Sequence, residues 1–382
     1  MNATVPARLP SAAMRRMRSA AAAQQRRDYA SAEALYRSLT REYPDFADAW
    51  HFYGLLLHQR GEGRQALAML ERAERLTSDN FPFLVNHGRV LLEIGEYRRA
   101  YAQLERARRH PAADPSALKL LIHAALKLGR EAEMLPLLDE QLTGALARNA
   151  GDWQLWILLG ECRERSGDRP GALAAFAEAG VFAPAGEVTP QLRQGSAALS
   201  AGQLEPARVA FEQALRRLPD SPEALLGLAN VAAREGDFGA CQRLARQALA
   251  RNPRLYIGWL LRVDSLGNGS AEALAADMET AAKRAGEDPE AFPLHFARGQ
   301  LREKLGDYET AFAAYELGNR QRGRSYPYQA AAQTAYSRDV IESLDEAFVA
   351  RAPAVGVPGA GPIFVIGMPR SGTTLVETIL AS

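Results

Sequence analysis

Small and bulky apolar residues recur along most of the chain in a fixed order, at a spacing near 34 residues. One ladder of glycines is Gly61, Gly95, Gly129, Gly167, Gly202, Gly236 and Gly306. A second ladder precedes it by seven residues and consists of Gly54, Gly88, Gly160, Gly195 and Gly299. A third set of small residues follows most turn glycines by five positions, at Ala66, Ala100, Ala172, Ala207, Cys241 and Ala311. Because glycine can close a tight turn and small residues let two helices approach, the pattern predicts repeated helix–turn–helix units.

These slots and their period are typical of the tetratricopeptide repeat. The fifth copy has the full pattern, Trp156-x2-Leu159-Gly160 followed by Ala172-x3-Phe176, Ala179 and Pro184. We count about nine copies over residues 13–324, of which the fourth, after Pro115, and the eighth, around Trp259, are degenerate. One helix pair cannot bury its own apolar stripe, so we expect an all-α superhelical solenoid with a concave groove. Bulky residues are expected to fill the space between neighbouring repeats, as at Trp50, Leu70, Phe176 and Phe211.

The groove of such an array is expected to hold a protein or peptide. The residues expected to face it are Asp48, His51, Val85, Arg89, Ile157, Glu161, Leu192, Ser196, Leu226, Asn230 and Phe296. Asn86 lies where a contact to a C-terminal carboxylate could form, but the row of Lys and Asn that would complete a clamp is missing. The mixed charge of the set does not identify the ligand.

Composition narrows the class of protein. The net charge is +1 and 47% of residues are hydrophobic, which excludes disorder and binding to nucleic acid or membrane surfaces driven by bulk charge. No run is long and apolar enough to span a membrane. Six arginines and no acidic residue occur among the first 27 residues, which we interpret as a tail over residues 1–12 and the start of an Ala/Arg-rich helix rather than a targeting signal. Two cysteines and scattered histidines predict a reducing, cytoplasmic location and no metal site.

A different pattern follows the repeats. Residues 325–352 are predicted to form a helical region that caps the solenoid, and the Pro- and Gly-rich residues 353–361 form a linker. Ile363 to Ile366 predicts a buried parallel strand, and Thr374 to Ala381 predicts a helix.

The loop between that strand and that helix predicts an anion site, because free backbone N–H groups converge at a helix N-terminus. Gly367, four residues and Gly372 have the spacing of a nucleotide phosphate loop. However, Thr373 stands where an NTPase needs lysine, and the cation is Arg370 instead. This departure argues against an NTPase.

The segment Gly367-Met-Pro-Arg-Ser-Gly-Thr-Thr-Leu resembles the 5′-phosphosulfate-binding loop of sulfotransferases that use 3′-phosphoadenosine 5′-phosphosulfate (PAPS). The resemblance is closest to bacterial proteins that join tetratricopeptide repeats to a tyrosylprotein-sulfotransferase-like domain, and it covers essentially the whole chain. It implies that Arg370, Ser371, Gly372, Thr373 and Thr374 bind PAPS as co-substrate. It also implies that Arg370 neutralises the bridging oxygen as the sulfuryl group leaves.

Residues 362–382 are too few for a doubly wound domain, which needs about 100 residues or more. We therefore expect this chain to be an inactive fragment of a larger sulfotransferase whose general base and acceptor pocket lie beyond Ser382. Protein tyrosine is the favoured acceptor, with a sugar or small molecule as alternatives. A stand-alone repeat scaffold with a vestigial tail is the main alternative, and a repeat-bearing glycosyltransferase would not be expected to carry this loop.

Overall fold

The computed structural model describes residues 11–77, 79–147, 151–266, 271–325, 330–348 and 350. The chain divides into two units, residues 1–318 and 319–382. The residues that the structure describes form nineteen α-helices and one short 3₁₀ turn, with no strand among them. The predicted all-α repeat fold is confirmed for this part of the chain.

Consecutive helices form antiparallel pairs, which we call the A and B helices of each repeat. The first five pairs are α1 (Ser11–Gln25) and α2 (Tyr29–Glu42), α3 (Ala47–Gln59) and α4 (Gly63–Leu76), α5 (Phe81–Glu93) and α6 (Tyr97–Arg109), α7 (Pro115–Leu128) and α8 (Glu131–Ala147), and α9 (Trp153–Arg165) and α10 (Arg169–Phe182). The remaining pairs are α11 (Thr189–Ser200) and α12 (Leu204–Arg217), α13 (Pro222–Glu235) and α14 (Phe238–Arg251), α15 (Ile257–Asp264) and α16 (Ala271–Ala285), and α17 (Phe292–Lys304) and α18 (Tyr308–Ser325). From α1 to α17, each A helix contacts the A helices of the neighbouring repeats.

The turn between the A and B helices depends on the first glycine ladder. All seven of its glycines have a φ between 69° and 85°, a conformation that other residues adopt at a cost. An aspartate caps several of the B helices that follow, as where Asp168 accepts a hydrogen bond from the backbone N–H of Gly171 at 2.9 Å. These local signals end one helix and begin the next, as the sequence predicts.

The second glycine ladder receives a bulky side chain of the same repeat. A β-carbon at Gly54 would come within 2.8 Å of Leu70, and one at Gly160 would overlap the ring of Phe176. Leu70 and Phe176 therefore fill space within their own repeats, and they also share core clusters with Val90 and Ala197 of the following repeats, as the sequence predicts. The small residue five positions after the turn, such as Ala66 or Ala172, is fully buried in the same repeats, and Cys241 is fully buried at this position of the seventh repeat.

The two degenerate repeats depart from the common geometry. In the fourth, α8 contains Pro136 inside the helix. In the eighth, α15 has only eight residues and packs against α14 and α17, while α16 packs against α17. A cleft lined by α14, α15 and α16 lies at the eighth repeat.

The second unit contains α19 (Ala330–Ser343), within the region predicted to be helical. Ile341 on this helix is 73% exposed. The capping role stays a prediction, and the linker 353–361 and the strand predicted at 363–366 lie outside the described residues.

Candidate functional site

Three successive A helices, α11, α13 and α15, line a groove of about 420 Å³. Most of its surface is apolar, and its lining residues are Leu192, Ser196, Leu199, Phe211, Glu223, Leu226, Gly227, Asn230, Ile257, Leu260, Leu261 and Asp264. Ile257, Leu260, Leu261 and Asp264 are spaced to share one face of α15. The groove is thus built from one face of each of three consecutive repeats.

Phe211 of α12 forms the floor of this groove between two glycines. A β-carbon at Gly195 would come within 2.7 Å of the Phe211 ring, and one at Gly227 within 2.5 Å. Gly195 belongs to the same repeat and Gly227 to the next, so this aromatic ring does fill the junction between repeats, as the sequence predicts. The absence of side chains at both glycines leaves room above the ring.

The polar groups around the groove are acidic or neutral. The carboxylates of Glu223 and Asp264 are exposed, and no Lys or Arg is among the lining residues. Ser221, at the N-terminus of α13, donates a hydrogen bond from its hydroxyl to Glu223 Oε2 at 3.3 Å. Apolar side chains of a ligand could be buried on the leucines while a cation lies near the two carboxylates.

Four of the residues predicted to face the groove, Leu192, Ser196, Leu226 and Asn230, lie together here. Asp48 and Arg89 are exposed on other A helices, and Phe296 lies on α17 beside Phe292 with a ring separation of 6.1 Å. Glu161 forms an ion pair with Arg193 at 2.9 Å, which links the A helices of neighbouring repeats.

The other predicted groove residues, His51, Val85 and Ile157, are buried. The His51 ring stacks on Phe83 with 4.1 Å between centroids, and its Nε2 accepts a hydrogen bond from the Asn86 amide at 3.2 Å. Burial, with a smaller effect from His87, lowers the pKa of His51 to about 4, so the ring is neutral at pH 7. His51 is therefore a packing residue rather than a groove residue, and Asn86 forms a hydrogen bond with it.

The carboxylate of Glu74, on the B helix α4, forms hydrogen bonds with the following repeat. Glu74 accepts hydrogen bonds from His87 at 2.7 Å, Gln103 at 2.9 Å and Arg106 at 2.5 Å. Burial alone would raise the pKa of Glu74, but these donors outweigh it and lower the pKa to about 2. This network joins the second and third repeats and has a structural role.

The residues predicted to bind PAPS, Arg370, Ser371, Gly372, Thr373 and Thr374, all lie outside the described residues. Within the described ranges, no group of three His, Cys, Asp or Glu side chains is arranged to hold a metal ion. None of the described helices is both long and apolar enough to cross a membrane. Cys162 and Cys241 are buried, and burial raises the pKa of the Cys162 thiol to about 12, which disfavours a reactive thiolate.

Sequence reasoning missed the contribution of α15 to the groove. The eighth repeat lacks the glycines that fix the register of the other copies, so the period did not indicate which face of residues 257–264 turns toward the neighbouring A helices. The signal that could have found it is the apolar spacing of Ile257, Leu260 and Leu261, which is that of a helix face.

Two parts of this chain match models of known protein families. A tetratricopeptide-repeat family model matches residues 17–81 and 192–240, and a sulfotransferase family model matches residues 362–382. An uncharacterized protein of Aquifex aeolicus is 37% identical over 91 residues, which are 24% of this chain. The chain spans about 11% of the length of that curated relative.

One solved structure shows the same repeat fold, and a second is less similar. A tetratricopeptide repeat protein from Parabacteroides merdae superposes with a TM-score of 0.54 at 12% identity, covering 68% of this chain and all of that one. YrrB, described as a tetratricopeptide protein with an unusual peptide-binding site, has a TM-score of 0.40 at 23% identity and covers 50% of this chain and 95% of its own. The first similarity shows a shared fold, and the chain contains tetratricopeptide repeats.

Proposed function

We propose that this chain is the repeat-containing part of a PAPS-dependent sulfotransferase that modifies a hydroxyl group, with protein tyrosine as the favoured acceptor. The observation that carries the proposal is the sulfotransferase family match at residues 362–382, which follows a tetratricopeptide-repeat unit in the same chain. In this proposal the repeats bind the protein to be modified, and the domain that includes residues 362–382 transfers the sulfuryl group.

The groove on α11, α13 and α15 supports the binding half of the proposal. Its floor is apolar, and Glu223 and Asp264 provide negative charge at its edge. A peptide segment with leucine-like side chains next to Lys or Arg complements both properties. Apolar anchors would contribute most of the affinity, whereas the charge pairs would mainly set specificity and association rate.

The loop residues support the transfer half through their chemistry. Sulfuryl transfer, like phosphoryl transfer, depends mostly on positioning and on cations aimed at developing negative charge. Arg370 would supply that charge, and the hydroxyls of Thr373 and Thr374 with the backbone amides of residues 371–374 would hold the phosphosulfate.

The complete gene product, incubated with PAPS and tyrosine-containing peptides, tests this function through transfer of radiolabelled sulfate. Transfer that is faster for peptides carrying a Leu- and Arg-containing segment would support both halves. The alternative is a repeat scaffold without enzymatic activity, and the groove by itself is sufficient for that function. It predicts that the same peptides bind but that no sulfate is transferred.

A further inference from the structure

A second cleft, of about 450 Å³, lies between α14, α15 and α16 and is distinct from the groove. The two cavities use different faces of α15. Ile257, Leu260 and Asp264 line the groove, whereas Trp259 and Arg262 line the cleft. The cleft lies at the degenerate eighth repeat, where α15 packs against α14 and α17 and α16 packs against α17.

The inner wall of the cleft holds a buried cation, the guanidinium of Arg262, and one of its N–H donors has no acceptor among the described residues. Arg262 is 9% exposed, and its guanidinium lies over the ring of Trp259 at 5.0 Å. Its Nη2 donates to Asp277 Oδ2 at 3.4 Å, but among the described residues its Nε and the Nε1 of Trp259 are buried without any acceptor. Burial lowers the pKa of Arg262, yet arginine keeps its charge at neutral pH. Buried donors of this kind are unfavourable unless an acceptor reaches them.

Three further arginines surround the opening. Arg254 pairs with Asp288 at 2.8 Å, whereas Arg246 and Arg284 are exposed and have no ion-pair partner within the part of the chain that the structure describes. Four arginines and one aspartate, Asp277, therefore line the cleft. The groove on the other face of the same helix has no basic residue in its lining, so of these two cavities only the cleft is basic.

Apolar surface completes the site. Leu249, Ala281 and Ala285 line the cleft beside the arginines. A volume of about 450 Å³ is in the range of small-molecule sites and exceeds the space that a bare oxyanion fills. The lining therefore suits a ligand with one oxyanion end and one apolar end.

We propose that this cleft binds an aryl phosphate or sulfate monoester, with the oxyanion among the arginines and the aryl group against Leu249, Ala281 and Ala285. Arginine is suited to this role because its planar fork of donors matches the oxygens of phosphate and sulfate. The same chemistry is found in a small molecule and in a modified tyrosine of a protein. The proposal does not depend on the proposed sulfotransferase activity, because the cleft lies wholly within the described repeats.

Isothermal titration of the 382-residue chain with phenyl phosphate and phenyl sulfate tests the proposal. We expect saturable binding of at least one ester, weaker binding of inorganic phosphate and no binding of phenol. The double variant Arg246→Gln and Arg284→Gln should weaken ester binding at least about tenfold, since hydrogen bonds to charged groups contribute that much. Both residues are exposed, so the variant is expected to fold.

The matched control is Arg243→Gln, which removes an exposed arginine of α14 that does not line the cleft. This control should bind the ester as the wild type does. Tighter binding of a tyrosine-phosphorylated or tyrosine-sulfated peptide than of the phenyl ester would identify a modified protein as the ligand. Equal binding of the two would identify a small molecule as the ligand. The proposal is overturned if neither ester binds, if phenol binds equally well, or if the double variant matches the wild type.

Discussion

The ring of Phe211 lies so close to Gly227 that a β-carbon at this glycine would come within 2.5 Å of it. Phe211 belongs to the sixth repeat and Gly227 to the A helix of the seventh, so the contact couples two repeats. Both residues also line the groove. The same contact therefore contributes to the stability of the stack and to the shape of the binding surface.

Replacing Gly227 with alanine tests this coupling. The added methyl group would overlap the Phe211 ring, which is 2% exposed and has little room to move. We expect a loss of about 1–3 kcal/mol in the free energy of unfolding, as is typical of overpacking. Urea denaturation of the 382-residue chain measures it.

The control is Gly239→Ala in α14, where an added β-carbon would meet no atom closer than 3.5 Å. Because alanine is the better helix former, this variant should be neutral or more stable by up to about 1 kcal/mol. Equal destabilisation by both substitutions would show that contact with Phe211 is not the cause.

The buried histidines predict that stability depends on pH. Burial lowers the pKa of both His51 and His295 to about 4, against 6.5 for an exposed imidazole. As the pH falls, the unfolded chain takes up these protons first. The stability that the neutral rings provide is therefore complete above pH 6.5 and is lost progressively down to about pH 4. Each ring contributes up to roughly 3 kcal/mol of this loss.

Unfolding free energies measured between pH 7 and pH 4 check this prediction. The variant His51→Gln should lose part of the slope, and the double variant with His295→Gln should lose more. The carboxylate of Glu74 contributes in a lower pH range. The stability that it provides is lost as the pH falls from about its ordinary pKa of 4.5 to its pKa of about 2 in the folded chain. A slope that is unchanged in the double variant would contradict the assignment to these rings.

The charge of the groove predicts its preference for ligands. The substitutions Glu223→Gln and Asp264→Asn should weaken binding of a Leu- and Arg-containing peptide about three- to tenfold at low salt, because they remove the attraction to its arginine. Leu226→Asp should weaken it more, since it places a charge on the apolar surface. Fluorescence anisotropy of a labelled peptide measures both effects. Glu205→Gln, an exposed position on α12 outside the groove, serves as the control and should bind normally.

The conformation of the turns could be predicted from sequence because each depends on one local residue. Gly61 and Gly236 both adopt a φ of 81°, and the five-residue offset from Gly236 to Cys241 correctly predicted a buried cysteine. Such features depend on the backbone within one repeat, which the period reports directly.

Features that depend on the angle between helices could not be predicted in this way. The period assigns Phe176 and Phe211 to the same slot, but only Phe211 contacts a glycine of the following repeat as well as its own. His51 was expected in the groove and is buried instead, because Phe83 of the next repeat covers its ring. The arginine cleft arises from the eighth repeat, where the pattern fails and no register could be assigned.

The loop residue Thr374 is expected to act differently from Arg370. Its hydroxyl would hold the phosphate in the ground state and the transition state alike, so Thr374→Ala should weaken PAPS binding more than it lowers kcat. Titration with PAPS and steady-state kinetics on the complete protein separate the two effects. A lower kcat with unchanged PAPS affinity would contradict this role.

Single-turnover sulfate transfer by the complete protein at saturating PAPS tests the proposed function most directly. If Arg370 contacts the leaving oxygen, Arg370→Ala should slow transfer by about 10²–10³-fold, because the interaction strengthens as charge develops. Arg370→Lys should retain more activity, since it keeps the charge but loses the planar fork. Absence of transfer by the wild-type protein would contradict the sulfotransferase assignment, and transfer by Arg370→Ala at the wild-type rate would contradict the catalytic role of Arg370.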